Sequence, residues 1–347
     1  MRIRRAIKSE TFSPANYSVF AGLTLAIFLV CIAAGSVNVP LERTAEVLFN
    51  ALAGQPQPEG TAAPIILLSR LPRVICVALV GASLSIGGAA MQGLLKNPLA
   101  DGTTLGVSNG ASLGAILAML LGIHIPGLPL AGTMVMAMLF AFLSLIIILS
   151  LAYRLDYSLS TNTIILLGII YAMFMSSVIA LLTTFAGERV HDIVFWLMGS
   201  LAGSTFMNAA VLAVVALVCG GVLVCHTREL NAFAIGEDNA RHIGVDVRRV
   251  RLTVLIAVSA LIGVCVSAGG VIGFVGLVTP HMVRMISGPN HKRLLPGTLF
   301  GGACFLMLAD LLARTILSPR ELPIGVVTSL IGAVVFLFIF FKMRKGR

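Results

Sequence analysis

Charge is what this chain has least of. Asp, Glu, Lys and Arg make up only 11% of its 347 residues, against roughly 25% in a soluble globular protein. Tryptophan occurs once. No G-x-x-x-x-G-K-[ST] is present, so this chain does not hold ATP on a P-loop. HExxH and paired membrane aspartates are also missing, which disfavours an intramembrane enzyme. The six cysteines, Cys31, Cys76, Cys219, Cys225, Cys265 and Cys304, lie in apolar windows without a CxxC pair. They read as small core residues rather than redox or metal ligands. No catalytic, cofactor-binding or metal-ligating set emerges. Asp310 is the one acidic residue clearly inside an apolar window, so the coupling-ion sites that secondary carriers and proton pumps place in their spans are scarce.

What remains is oil. Hydrophobic residues make up 58% of the chain and its mean hydropathy is +1.02, which identifies an all-α polytopic membrane protein. A spanning helix needs about 20 apolar residues, and ten windows suffice for one transmembrane domain over 1–347: Tyr17–Val39, Val74–Leu95, Thr104–Ile123, Leu130–Leu151, Thr163–Phe185, Phe206–Cys225, Leu252–Ala268, Val271–Ile286, Leu294–Leu312 and Ile324–Phe341. The first follows the basic "MRIRRAIK" but is too long for a signal-peptide h-region, so it reads as an uncleaved span.

With ten spans, eighteen of the twenty-four Lys and Arg fall on the side of the termini and six on the other, namely Arg43, Arg70, Arg73, Arg189, Arg314 and Arg320. The positive-inside rule then puts both termini in the cytoplasm. The net charge of +10 reflects topology, and nucleic-acid binding is a poor account of it.

Two segments depart from plain spans. Between Arg251 and Arg284 lie 32 uncharged residues, too many for one straight span and few for two. They contain Gly269, Gly270, Gly273, Gly276 and Pro280. Broken helix at this depth has to be buried in protein or line a wet cavity, which places a transport pathway nearby. Ser85-Ile-Gly87-Gly88 before Pro98 echoes Ser267-Ala-Gly269-Gly270 before Pro280 and hints at the internal repeat of many transporters. The second segment is a polar island, 229–245. Leu230, Phe233 and Ala234 form a short apolar face, Gly236 interrupts it, and an acidic start at Glu237 opens a second turn that ends at Gly244. Two short helices of this kind make a knob for a groove on a partner.

Several blocks carry a resemblance: "RLPR" at 70–73, "GGAAMQGLLKNPLADGTTLGVSNGASLG" at 87–114, "LNAFAIGEDNARHIGV" at 230–245, "IGFVGLVTPHMVR" at 272–284 and "ELPIGVVTSLIGA" at 321–333. Through them the chain resembles the FecCD-type permeases of type II ABC importers, which move ferric siderophores, haem and cobalamin. That resemblance implies ten spans, a second permease copy (homodimer or paralogous heterodimer), a cytoplasmic ATPase dimer and an extracytoplasmic substrate-binding protein. It also implies the cytoplasmic (inner) membrane of a bacterium or archaeon, and a transport role with no enzymatic one. Ferric siderophore is the leading cargo, ahead of cobalamin and haem.

Site roles follow from the same resemblance. Leu230, Phe233, Ala234, Ile235, Gly236, Ala240, Ile243 and Gly244 would seat on the ATPase. Arg70, Arg73 and Arg314, matching arginines of the cobalamin branch, would receive carboxylates of the binding protein, for which planar guanidinium forks are well shaped. Asn97, Leu99, Ser160, Thr161 and Asn162 match a cytoplasmic gate, although Asn162 stands where a small hydroxyl is expected. No residue stands out as a substrate ligand. Met173, Met175 and Met207 fit packing better than a pathway, and the lone His124 fits no metal or haem site. An ion-coupled secondary transporter is the competing class.

Overall fold

The computed structural model describes residues 11–102, 105–123, 131–157 and 160–345. Every regular element in them is a helix. In chain order these are α1 (Pro14–Ala33), α2 (Leu41–Ala53), α3 (Ala62–Leu94, with a π-turn over Ile65–Arg70), α4 (Val107–Leu121), α5 (Ala131–Leu155), α6 (Thr161–Thr184), α7 (Val190–Leu197), α8 (Phe206–Cys225), α9 (Thr227–Ile235), α10 (Glu237–His242), α11 (Val247–Gly269), α12 (Val275–Ser287), α13 (His291–Thr315) and α14 (Ile324–Lys345). His124 lies outside the described residues.

All ten apolar windows contain a helix. Seven of the described helices are long and apolar enough to cross a membrane, while α4 and the apolar part of α14, Ile324–Ile339, are shorter. The helix starts follow local chemistry: Ser13, Ser160, Thr205, Asp246 and Asn290 each accept a backbone N–H of the first turn and so satisfy an otherwise orphan donor.

Burial sorts the bundle. In the apolar windows of α3 and α11, 72% of residues are buried, against 11% in α1 and 17% in α6. Helices α3 and α11 are therefore the axis, with α13 packed along α3 and α5 and α8 along α11. Close approach at the axis depends on small residues, because a Cβ on Gly88 would overlap the Gly276 carbonyl where α3 crosses α12.

The expected break in the long uncharged stretch is real and lies at 270–274, between α11 and α12. Gly270 turns there with φ +69°, and a Cβ on it would overlap the Trp196 carbonyl. Phe274 also adopts a left-handed φ of +66°. The irregular backbone packs against protein, with Gly270 and Ile272 buried and the residues between and after them half-buried. Ser200 N donates to Gly269 O at 2.8 Å, and Ile324 N donates to Gly199 O at 3.1 Å. The sequence echo between 85–88 and 267–270 does not extend to the backbone: Gly87 and Gly88 continue a helix, whereas Gly269 ends one.

Alternation of the helices gives the bundle two ends. The turns that carry α9 and α10 form the knob end. Opposite lies the far end, with α2, the close of α1, the 270–274 break and the 316–323 turn.

Candidate functional site

The far-end arginines sit deeper than their sequence suggested. Helix α3 begins at Ala62, so Arg70 and Arg73 come eight and eleven residues into it, roughly 12 and 16 Å along the axis. Arg70, Arg73 and Arg314 are all buried. Arg73 donates through Nε (3.1 Å) and Nη2 (2.9 Å) to Asp310 Oδ1, and through Nη1 (2.7 Å) to Glu321 Oε2. Arg314 Nε lies 2.9 Å from Asp310 Oδ2 as a charge contact that is not aligned as a hydrogen bond. Its Nη2 and Nη1 donate to the carbonyls of Cys31 (3.1 Å) and Ala34 (3.3 Å). Arg70 donates to the carbonyls of Ile32 (2.9 Å), Ala33 (2.8 Å) and Val37. Together the two cap the close of α1, where a helix leaves its last carbonyls without partners. Each guanidinium is thus already engaged within the chain, so a partner's carboxylate would have to compete for it. Three guanidiniums against two carboxylates leave the cluster at +1. Glu321 is its accessible member, with 30% of its side chain exposed. Burial alone would raise the Glu321 pKa, but the hydrogen bond and charge of Arg73 prevail and hold it below the usual 4.5.

At the knob end the two short helices form as expected, but their apolar face points the other way. Leu230, Phe233 and Ala240 have no exposed surface and belong to the chain's own core. Asn231 fixes α9 to α13, its Oδ1 accepting from His291 N at 2.9 Å and its Nδ2 donating to Asn290 Oδ1 at 2.9 Å. The physical reason is registry: the i, i+3 pair that looked free for a partner is what anchors the knob to the bundle. Ile235 and Ile243, 72% and 70% exposed, are the apolar side chains turned outward, and Ala234 is exposed beside them. Gly236 (φ +137°) and Gly244 (φ +89°) bracket α10 in conformations that favour glycine.

The proposed gate residues fall into two groups. Asn97 Oδ1 accepts from Leu99 N at 2.9 Å in a tight turn, and Leu99 is 51% exposed. Ser160 caps α6, Thr161 Oγ1 reaches Glu237 Oε1 at 3.4 Å, and Asn162 is exposed. The hydrogen bonds of the two groups run to different partners.

The broken hairpin is tied to α3 by side chains the sequence reading passed over. Pro280, inside α12, removes the N–H that would have bonded the Gly276 carbonyl. Gln92 Nε2 lies 3.4 Å from that carbonyl and from Leu277 O, while Gln92 Oε1 accepts from Arg284 at 3.0 Å. His281 Nε2 donates to Pro98 O at 3.0 Å. A small cavity of about 30 Å³ lies between the hairpin, α3 and α11, lined in part by Gly88, Asp101, Gly270 and Phe274. A signal existed for Gln92 and Arg284 as polar residues inside or beside small-residue helices, but nothing in the spacing paired them. Of the methionines, Met173 and Met207 are exposed on the outside of the single chain.

Comparison with known proteins agrees with this architecture. The FecCD transport family profile matches residues 23–342. YvrB of Bacillus subtilis (strain 168), an uncharacterized ABC transporter permease protein, is 41% identical over 94% of this chain and 93% of its own length. The cobalamin import system permease protein BtuC of Halobacterium salinarum is 37% identical, covering 80% and 74%. The hemin transport system permease protein HmuU of Yersinia pestis is 36% identical, covering 93% and 96%. A solved inward-facing ABC transporter assigned to the metal-chelate type matches with TM-score 0.83 and 30% identity over 95% of this chain and 100% of that one. The chain belongs to the FecCD transport family and is the membrane permease of an ABC importer.

Proposed function

We propose that this permease carries a ferric siderophore inward across the cytoplasmic membrane, driven by ATP hydrolysis on a separate ATPase dimer that seats on α9 and α10. The observation that supports an ATPase seat is the exposure of Ile235 and Ile243 on a knob whose other large apolar residues are buried. Both termini lie on the knob side, in the cytoplasm. A second permease copy covers part of the exposed surface of α6, and the path runs between the copies. At the far end a binding protein docks over the buried arginines, and any carboxylate it supplies exchanges with Glu321 for Arg73 Nη1. At the knob end the 97–99 turn and the start of α6 narrow the exit, where short polar side chains close a pore without a large desolvation cost.

A second cargo reading, cobalamin, is favoured by the 37% identity to the Halobacterium salinarum permease. Proteoliposomes holding the permease, its ATPase and its binding protein separate the two. Ferric siderophore is expected to stimulate ATP hydrolysis and uptake, whereas stimulation by cobalamin or haem alone would replace the siderophore assignment. The same vesicles test the drive: uptake that persists without ATP and stops with a protonophore would establish the ion-coupled class instead. Asp310 gives that class little support, because it is held between Arg73 and Arg314.

A further inference from the structure

Toward the knob end, α1, α12 and α13 enclose a groove of about 200 Å³, with Phe20 and Thr24 on one wall and Gly297, Phe300 and Cys304 on another. Helices α1 and α13 are both long and apolar enough to cross a membrane, and only 11% of the α1 window is buried. The groove therefore lies beside lipid. Its two hydroxyls are satisfied within their own helices, since Thr24 Oγ1 donates to Phe20 O at 2.8 Å and Ser287 Oγ donates to Val283 O at 2.9 Å. Water would find no partners there, so the groove suits hydrocarbon.

Its rim toward the knob end has a different character. Phe12, Tyr17, Phe20 and Phe300 form a connected cluster of rings with centroids 5.1 to 6.5 Å apart, and a tyrosine among them suits the headgroup level of a bilayer. Arg293 precedes Gly297 by four residues and Phe300 by seven, on the stripe of α13 that lines the groove. Helical side chains lean toward the helix N-terminus, so its guanidinium is carried toward the rim. The Arg293 Nε is buried without a hydrogen-bond partner among the described residues, which is costly until an acceptor arrives.

We propose that this groove holds an acyl chain of an anionic glycerophospholipid whose phosphate headgroup is met by Arg293. The apolar walls take the tail, and the charge selects the headgroup. The inference goes beyond the cargo and the drive of transport, and rests only on α1 and α13 crossing the membrane.

Brominated lipids test it in the full-length permease reconstituted in vesicles. The chain has one tryptophan, so Trp196→Phe with Phe20→Trp places a single fluorophore in the groove wall. Dibrominated phosphatidylglycerol should half-quench it at a mole fraction about fivefold lower than dibrominated phosphatidylcholine does, the attraction of one arginine for an anionic headgroup. Adding Arg293→Gln should bring the two lipids level, whereas Arg293→Lys should keep most of the preference. Leu25→Trp in place of Phe20→Trp, on an exposed face of α1, should be quenched equally by both lipids. Equal quenching of the groove fluorophore, or a preference that survives Arg293→Gln, would overturn the site. Quenching of Leu25→Trp but not of Phe20→Trp by either lipid would also overturn it, because protein, either the chain's own N-terminal residues or a second copy, would then fill the groove.

Discussion

Replacing Asp310 by Asn should destabilise the permease far more than any other single neutralisation at the far end. The carboxylate is 1% exposed and contacts both Arg73 and Arg314, whose side chains are 9% and 3% exposed. An amide of the same shape leaves the two guanidiniums in place and raises the charge of the cluster from +1 to +2. Breaking a buried pair by removing one partner costs about 3–5 kcal/mol, because the remaining charge is left without compensation. At about 2 °C per kcal/mol for a large domain, the apparent melting temperature should drop by roughly 6–10 °C. Glu321→Gln is the internal control. That side chain is 30% exposed, so solvent screening limits its loss to about 1 kcal/mol. The triple variant Arg73→Met, Asp310→Leu, Arg314→Met should recover much of the loss, since an apolar replacement of the whole group removes the uncompensated charge. Recovery should stay incomplete, because Arg314 also caps the carbonyls of Cys31 and Ala34. Melting of detergent-purified protein, read as the fraction left monodisperse after heating, reports the order. The reasoning is refuted if Asp310→Asn melts within 2 °C of wild type or no lower than Glu321→Gln. Reversing Arg70 and Arg73 should lower melting too, since both are buried and engaged within the chain, and a docking role predicts a loss of binding-protein affinity in addition.

At the knob, Ile235→Asp with Ile243→Asp should leave a folded permease that no longer copurifies the ATPase. Phe233→Asp, by contrast, should lower the yield of folded permease itself, since loss of a buried Phe side chain costs about 3–5 kcal/mol before the buried carboxylate is counted. Normal yield of Phe233→Asp would show that its ring is not a core anchor. Gly88→Ala should prevent assembly of the bundle, because the added methyl overlaps the Gly276 carbonyl; a monodisperse, active Gly88→Ala protein would contradict the crossing. For Glu321, a carboxyl whose pKa is lowered on folding contributes stability that is complete above its unfolded value near 4.5 and lost as pH falls through the lower folded value. Acid titration of wild type against Glu321→Gln should therefore show melting curves that converge only below about pH 4.5, and convergence at pH 6 would disprove the Arg73 pairing.

Spans were legible in the sequence because lipid imposes one rule on every residue in them, and ten apolar windows, eight of them uncharged, obey it. The hairpin break was legible for the same reason: 32 uncharged residues with Gly269, Gly270 and Pro280 have no straight solution. Side-chain direction was not. Leu230 and Phe233 at i, i+3 define a face, yet periodicity does not say whether that face meets a partner or the chain's own core. Arg70 and Arg73 were misplaced because α3 starts at Ala62 and takes a π-turn through Ile65–Arg70, which carries both arginines below the rim. The missing information was long-range, as Asp310 and Glu321 follow Arg73 by more than 230 residues. Glu237 and Arg251 are close in sequence, but only the turn at Gly244 brings them together.

Scarcity of charge gives these two clusters their meaning. Both place arginines between different elements of the fold, and both engage their carboxylates with those arginines. Asp310 is held by two guanidiniums at the far end, so it is poorly placed to exchange a coupling ion. Glu237 is held by Arg251 beneath the knob. Little force is generated by such a chain itself. Under the proposed function, the work of transport enters from outside, on an ATPase seated at the knob. That is the division of labour expected of a permease whose ATPase is another protein.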